Sequence, residues 1–220
     1  MTETPLPGLP SAWLLGSPGR VRRVVLASAA VAPPGTGAAQ HRAGRDAVGA
    51  ALRRAGSPVT SVGRAYSGAP VCPAGFPASV THSTALAVAA VAPGARGVGV
   101  DLEPRCPDLG LHRFLLDERE RAEVWPRGDP PGLRRLFAAK EAAFKALSDG
   151  VDAHGGLFWR VRLGLRDGRL WAWAGDRYAL VGELAAPAFA LAVAVTLTHN
   201  QKFGVPEKLG LGLLIAPSGP

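Results

Sequence analysis

Residues 97–104, Gly-Val-Gly-Val-Asp-Leu-Glu-Pro, are the most informative segment of this 220-residue chain. The segment predicts a β-strand that ends in acids, and residues two apart on a strand share a face. Asp101 and Glu103 therefore project together, while Val100 and Leu102 face the other side. Two adjacent carboxylates repel unless a cation or solvent lies between them, and magnesium suits such a pair because it binds carboxylate oxygens, waters and substrate phosphates. A strand that ends in solvated acids is the alternative interpretation.

A second informative segment is Lys140-Glu141-Ala142-Ala143-Phe144-Lys145, within a helix predicted over Leu133–Leu147. Glu141 and Lys145 are four residues apart and share one helix face. The segment holds two of the four lysines of a chain that has 21 arginines. A lysine supplies a compact point charge that suits a phosphate, so the pair indicates a phosphate site. An ordinary exposed pair, which would add only about 0.2–0.5 kcal/mol to the helix, is the alternative.

A third segment, Ser79-Val80-Thr81-His82-Ser83, places a histidine between hydroxyl groups on a predicted strand. Such side chains donate hydrogen bonds to phosphate or nucleotide oxygens. A histidine with a purely structural role is the alternative.

The charge of the chain is divided unevenly along its length. The net charge of +8 comes from 25 Lys and Arg against 17 Asp and Glu, and residues 1–100 carry +7 of it. Residues 101–200 hold 14 cations and 14 acids, and residues 201–220 add +1. A basic half joined to a carboxylate-rich half fits an anionic partner held beside a metal site, although nucleic acid also fits such a field.

Composition and missing motifs exclude several classes of protein. Two cysteines are too few for a disulfide scaffold or a cysteine-rich zinc module. The sequence has no apolar run of membrane-spanning length and no signal-peptide layout, so we expect a cytoplasmic protein without a membrane partner. The P-loop motif is absent, and a hydrolase built on His82 or His154 would lack a nucleophile elbow.

Periodicity and breakers predict the remaining elements. The predicted helices besides Leu133–Leu147 are His41–Ala55 and Leu111–Val124. The predicted strands are Val21–Ala32, Ser79–Ala92, Gly97–Glu103, Phe158–Leu165, Arg169–Ala174 and Phe189–Leu197, with a hairpin turn at Asp167-Gly168. Residues 57–78 are predicted to be a loop with one short strand, and residues 1–19 and 201–220 a flexible segment and a tail. Leu86–Val91 (LAVAAV) and Leu191–Val195 (LAVAV) are similar in sequence, which fits internal duplication but also any two strands rich in Ala and Val.

Taken in order, these segments resemble the 4′-phosphopantetheinyl transferases, specifically the Sfp/EntD type. The resemblance covers about residues 40–147. The matching segments are His41–Ala47, Ala51-Leu52, Gly56, Gly68–Pro70, Pro73–Gly75, Ser79–Ser83, Gly99–Pro104, an acid near Glu120, and Lys140–Lys145.

The resemblance implies an α+β fold of two similar α/β halves related by a pseudo-twofold axis, with the active site between them. It implies an N-terminal half over residues 20–100 that binds coenzyme A and a C-terminal half over residues 101–200 that holds the metal. The implied enzyme transfers 4′-phosphopantetheine from coenzyme A to a serine of an apo acyl or peptidyl carrier protein, releases adenosine 3′,5′-bisphosphate and uses magnesium. Enterobactin-type and other secondary-metabolite synthesis is the implied setting, and we expect a monomer.

The resemblance also implies roles for individual residues. Asp101, Glu103 and Glu141 match the metal carboxylates, and Lys145 matches a lysine that contacts the phosphates. Arg42, Arg45 and Arg64 match positions on the 3′-phosphate side of coenzyme A, Thr81 and His82 match the pair at the nucleotide phosphates, and Glu120 matches an acid near the metal. Either Glu141 or a metal-bound water would accept the serine proton.

The chain departs from the family pattern at three positions. Many relatives have Trp at Cys72, Gly-Ser at Ala78-Ser79 and Ser at Ala138. None of these changes removes a predicted metal ligand or charged contact. A basic nucleic-acid-binding protein, and a non-catalytic relative that binds coenzyme A or a carrier protein, are the alternatives.

Overall fold

The computed structural model describes residues 11–17, 20–66, 68–148 and 158–196. Two antiparallel sheets, each covered by one long helix, account for most of this part of the chain. The architecture is therefore α+β, as predicted. No helix of the described residues is both long enough and apolar enough to cross a bilayer.

The first sheet has the strand order β1-β2-β6-β5. Its strands are β1 (Ala12–Ser17), β2 (Arg20–Ala30), β5 (Ala78–His82) and β6 (Leu86–Val91). Helix α1 (Gly37–Arg54) begins after the N-cap Thr36, whose hydroxyl accepts the Ala39 N–H, and packs on β2 and β6. A short hairpin of β3 (Gly63–Arg64) and β4 (Pro70–Val71) lies between α1 and β5 in the chain.

The second sheet has the order β7-β11-β10-β9-β8. Its strands are β7 (Val98–Glu103), β8 (Arg162–Arg166), β9 (Arg169–Ala174), β10 (Arg177–Ala186) and β11 (Phe189–Thr196). Between β7 and β8 lie α2 (His112–Leu115), α3 (Glu118–Val124) and α4 (Pro130–Leu147). Helix α4 packs on β7 and β11.

The two sheets repeat one topology. In the first sheet, β2 is followed in the chain by α1, and β2 pairs with β6, which also pairs with β5. In the second sheet, β7 is followed by the helices α2 to α4, and β7 pairs with β11, which also pairs with β10. The similar sequences LAVAAV and LAVAV occupy the equivalent central strands β6 and β11. The fold therefore consists of two similar halves.

The layers follow from the alternation of side chains along the central strands. On β11, Leu191, Val193 and Val195 pack between the two sheets, whereas Ala190, Ala192 and Ala194 lie beneath α4. Large apolar residues thus fill the space between the sheets, and small ones let each helix approach its own sheet. The order of layers is α1, first sheet, second sheet, α4.

Several predicted elements differ from the structure. The strand predicted over Ser79–Ala92 is two antiparallel strands, because the Ser83 hydroxyl accepts the N–H groups of Ala85 and Leu86 and closes a turn. The helix predicted over Leu111–Val124 is broken between α2 and α3, because Asp117 and Glu120 form a capping box that starts α3.

Other differences concern the boundaries of elements. Strand β1 lies inside the segment predicted to be flexible over residues 1–19, and β10 was not predicted. A 3-10 turn at Phe158–Arg160 precedes β8, so that strand begins at Arg162. The Asp167-Gly168 hairpin is confirmed, with positive φ at both residues. His154 and the tail over residues 201–220 lie outside the described residues.

Candidate active site

Asp101 lies where edge strands β5 and β7 of the two sheets meet. The Thr81 hydroxyl of β5 donates to Asp101 Oδ1 over 3.1 Å, and the ammonium of Lys145, from α4, lies 2.6 Å from the same oxygen. The Ser79 hydroxyl of β5 accepts the Val100 N–H at 3.2 Å. One carboxylate therefore joins both halves of the fold.

The other oxygen of this carboxylate is buried without a partner. Asp101 is 5% exposed, and no donor among the described residues reaches its Oδ2. A buried carboxylate oxygen without a hydrogen bond is costly, so it indicates that something outside the chain completes the site.

Two further carboxylates interact electrostatically with Asp101. Burial, followed by the charges of Asp101 and Glu141, raises the pKa of Glu103 to about 7. Burial also raises the pKa of Glu141; the Lys145 ammonium opposes this shift and Asp101 adds to it. The three predicted metal carboxylates thus lie close enough to repel one another.

The donor set fits a hard divalent cation. All three side chains supply oxygen, the ligand atom that magnesium prefers, and Asp101 Oδ2 is buried and accepts no hydrogen bond from the described residues. No three His, Cys, Asp or Glu side chains in the described ranges converge closely enough to enclose an ion as they stand. A bound cation would relieve the repulsion that contributes to the raised pKa of Glu103 and would supply a partner for Asp101 Oδ2.

A basic group lies beside these carboxylates. His82 ends β5, and its ring centre is 6.4 Å from that of His41 on α1. Burial, then the charges of His41, Lys145 and Arg64, lowers the pKa of His82. Arg64, from the β3–β4 hairpin, therefore lies within electrostatic range, with its Nε donating to the Gly68 carbonyl.

Arg42 and Arg45 are exposed on α1, the helix that carries His41. Gly44 of α1 faces Val80 of β5, and a Cβ there would make an ordinary van der Waals contact with Val80 Cγ2 at 3.4 Å. Through His41 and Gly44, this part of α1 lies beside β5, the strand whose Thr81 contacts Asp101. Sequence analysis gave His41 and Ser79 no role, because only the fold places them against His82 and Val100.

Glu120 is engaged in contacts away from Asp101. It forms a buried ion pair with Lys140 at 3.0 Å, accepts the Leu163 N–H at 2.8 Å and caps α3 through the Asp117 N–H. The Lys140 ammonium also donates to the Leu115 carbonyl. Burial lowers the pKa of Lys140, and Glu120 opposes that shift. The ion pair and hydrogen bonds of Glu120 thus connect α3 to α4 and to β8.

A cavity of about 350 Å³ lies elsewhere, at the N-terminal end of α4. Trp125, Arg127, Asp129 and Arg135 are among its lining residues, and none of the predicted site residues lines it.

Part of the chain is similar to known proteins. No curated protein matches the chain. The crystal structure of the holo-[acyl-carrier-protein] synthase of Thermotoga maritima is similar at 27% identity, over 46% of this chain and 63% of that one, with a TM-score of 0.39. The match thus spans less than two thirds of that protein. Residues 97–172, which include Asp101, Glu103, Glu141 and Lys145, match the 4′-phosphopantetheinyl transferase superfamily.

Proposed function

We propose that this protein transfers 4′-phosphopantetheine from coenzyme A to a serine of an apo acyl or peptidyl carrier protein and releases adenosine 3′,5′-bisphosphate. The observation that carries the proposal is Asp101, buried at the junction of the halves, with Lys145 and Thr81 on one oxygen and no partner for the other. The family match over residues 97–172 supports it, because that range contains every proposed metal ligand.

Magnesium is the proposed cofactor, with Asp101, Glu103 and Glu141 as the residues that would hold it. When bound, it would neutralise charge on the pyrophosphate of coenzyme A. Magnesium would also neutralise the negative charge of the carboxylates, whose burial and repulsion raise the pKa values of Glu103 and Glu141.

Lys145 is proposed to contact the phosphates. An ammonium has three N–H donors, and in this structure Asp101 Oδ1 and the Val100 carbonyl accept two of them. The third is available for a phosphate oxygen. Because its other two bonds fix the lysine against β7, the charge is already in place before the substrate binds, as charge stabilisation in phosphoryl transfer requires.

Glu141 is the proposed acceptor for the proton of the carrier serine. Burial raises the pKa of Glu141 in the metal-free protein, whereas a bound cation would make the same carboxylate a weaker base, so a water molecule beside the cation is the alternative acceptor. The attack would form a bond from the serine oxygen to the phosphorus that carries pantetheine, and the bond to the leaving adenosine bisphosphate would break.

The basic N-terminal half, residues 20–100, is proposed to bind the nucleotide end of coenzyme A through Arg42, Arg45, Arg64 and His82. The C-terminal half, residues 101–200, would hold the metal. We propose the Sfp/EntD type, with a monomeric, cytoplasmic enzyme that serves secondary-metabolite carriers. The exposed positions of Arg42 and Arg45 support the coenzyme assignment, because they lie on the same part of α1 as His41, whose ring is near that of His82.

The experiment mixes the protein with coenzyme A, magnesium and several apo carrier proteins and measures the intact carrier mass. We expect the mass of one phosphopantetheine to be added, and Asp101→Asn to abolish the addition. Asp129→Asn is the matched control, since the Asp129 side chain makes no capping hydrogen bond. Salt-sensitive binding of duplex nucleic acid with no transfer to any carrier would favour the nucleic-acid alternative.

A further inference from the structure

Thr81 has one hydroxyl proton, and in this structure that proton is donated in a hydrogen bond to Asp101. The hydroxyl donates to Oδ1 over 3.1 Å, and Thr81 is 7% exposed. A phosphate oxygen at neutral pH also needs a donor, so the hydroxyl cannot serve both acceptors at once. The contact with Asp101 therefore conflicts with the direct phosphate role that the sequence resemblance implied for this residue.

The orientation of Asp101 depends on this contact. Thr81 and Lys145 both donate to Oδ1, from opposite halves of the fold, and Oδ2 is left without a donor among the described residues. If Thr81 did not hold Oδ1, the carboxylate could rotate about its terminal torsion and share Lys145 between both oxygens. Because Thr81 and Lys145 both donate to Oδ1, Oδ2 is left available to bind a cation.

The backbone on both sides of this contact is fixed. On β5, Thr81 pairs with Val88 of β6, and two residues earlier Ser79 accepts the Val100 N–H at 3.2 Å. On β7, Asp101 pairs with Ala192 of β11. The bond from Thr81 to Asp101 is therefore made between two rigid strands, which is the placement expected of a side chain that orients a ligand.

We propose that Thr81 is a positioning residue, which orients Asp101 so that Oδ2 faces the divalent cation, rather than a direct ligand of the coenzyme phosphates. This inference rests on the proposed function, because it assumes a metal at Asp101. It extends that function by assigning to the first half of the fold a part in building the metal site of the second.

The test compares Thr81→Val, which keeps the shape of the side chain and removes its donor, with Thr81→Ser, which restores the donor. Thr196→Val is the matched control. Thr196 is also buried, and its hydroxyl donates at 3.1 Å to the carbonyl of Gly97, the residue before β7. Manganese, which accepts the same oxygen ligands, is the probe, and its binding is followed by electron paramagnetic resonance with coenzyme A present. Calorimetry measures coenzyme A binding separately, with a chelator and no metal.

For Thr81→Val we expect manganese affinity to fall about tenfold, the loss typical when an outer-shell partner of a metal ligand is removed. Metal-free coenzyme A affinity should stay unchanged, Thr81→Ser should recover manganese binding, and Thr196→Val should behave like the natural protein. Unchanged manganese affinity in Thr81→Val, or a loss of metal-free coenzyme A binding instead, would overturn the proposal. An equal loss in Thr196→Val, or no manganese binding by the natural protein, would also overturn it.

The two proposals fail separately. If no carrier gains mass but Thr81→Val still weakens manganese binding, the transferase proposal fails and the positioning role stands. If transfer occurs but manganese binding does not depend on Thr81, the positioning role alone fails.

Discussion

Gly99 on β7 lies directly against the backbone of Ala142 on α4. A Cβ at position 99 would overlap the Ala142 carbonyl oxygen and lie 2.8 Å from both the Ala142 carbonyl carbon and the Ala146 nitrogen. Gly97 makes a similar approach, since its Cβ would lie 2.5 Å from the Ala146 carbonyl oxygen. Gly97, the residue before β7, and Gly99 both precede Asp101 at intervals of two residues and so lie on the same side of the chain. The close approach of α4 on that side brings Lys145 within reach of the Asp101 carboxylate.

Gly99→Ala should therefore destabilise the fold and weaken the site together. The added methyl group meets helix backbone, which cannot move without shifting α4, so we expect a loss of about 3 kcal/mol in the free energy of unfolding. Urea denaturation measures the loss. Gly37→Ala is the control, because a Cβ at position 37 meets nothing within 4 Å. Equal stability of the two variants would show that α4 does not need the glycine.

The buried pair of Glu120 and Lys140 should matter for stability and not for metal binding. Lys140→Met removes the closer cation from the buried Glu120 carboxylate and leaves Arg162 at 4.0 Å, and we expect a loss of about 3–5 kcal/mol in unfolding free energy. The double variant Glu120→Gln, Lys140→Met should lose less than the sum of the two single variants. Manganese titration of the variants that fold provides the second measurement. A lowered manganese affinity at unchanged stability would place Glu120 in the metal site instead.

Short patterns in the sequence predicted which side chains share a face of a strand better than they predicted the boundaries of the elements. The alternation over residues 97–104 placed Asp101 and Glu103 on one face, because a period of two holds on any regular strand. The turn after His82 was missed because Ser83, Thr84 and Ala85 include neither glycine nor proline, and a side-chain hydroxyl closes it. The break before α3 was visible in principle, since Asp117 and Glu120 have the spacing of a capping box.

Contacts between distant segments could not be predicted from local patterns. The bond from Thr81 to Asp101 joins strands 20 residues apart, and it forms only because the two sheets pack with β5 beside β7. The pairing of Glu120 with Lys140 depends in the same way on the docking of α3 against α4. A sequence match assigns a type of residue to a site, whereas the packing decides which group each side chain contacts.

Metal-free stability should depend on pH through Glu103. Its pKa is raised from 4.5 to about 7, so between these values the native state holds a proton that the unfolded chain has lost, and stability falls as pH rises. The raised pKa of Glu141 also makes stability fall as pH rises. The lowered pKa of His82 instead makes stability rise with pH below 6.5, the ordinary pKa of histidine.

Thermal unfolding of the natural protein and Glu103→Gln across this range, in the presence of a chelator, isolates the contribution of Glu103. The variant should lose less stability as pH rises. Added magnesium should stabilise the natural protein more at pH values above 7 than below, because the metal competes with the proton for the carboxylate. Parallel curves for the two proteins would contradict the raised pKa.

The arginines of α1 should affect coenzyme A affinity and not the chemical step. Because Arg42 and Arg45 are exposed, each contact with a phosphate is partly screened, and Arg→Gln at either position should raise KM for coenzyme A about two- to fivefold at unchanged kcat. The difference should shrink as salt is added. Arg127→Gln, at the cavity near the start of α4, is the matched control. A fall in kcat without a change in KM would place these arginines outside the coenzyme site.

The most direct measurement of the central claim is the intact mass of an apo carrier protein after incubation with coenzyme A, magnesium and this protein. The account predicts the gain of one phosphopantetheine group with the natural protein and with Asp129→Asn, and no gain with folded Asp101→Asn. The absence of any gain across several carriers, with folded protein and magnesium present, would contradict it, as would full activity of Asp101→Asn.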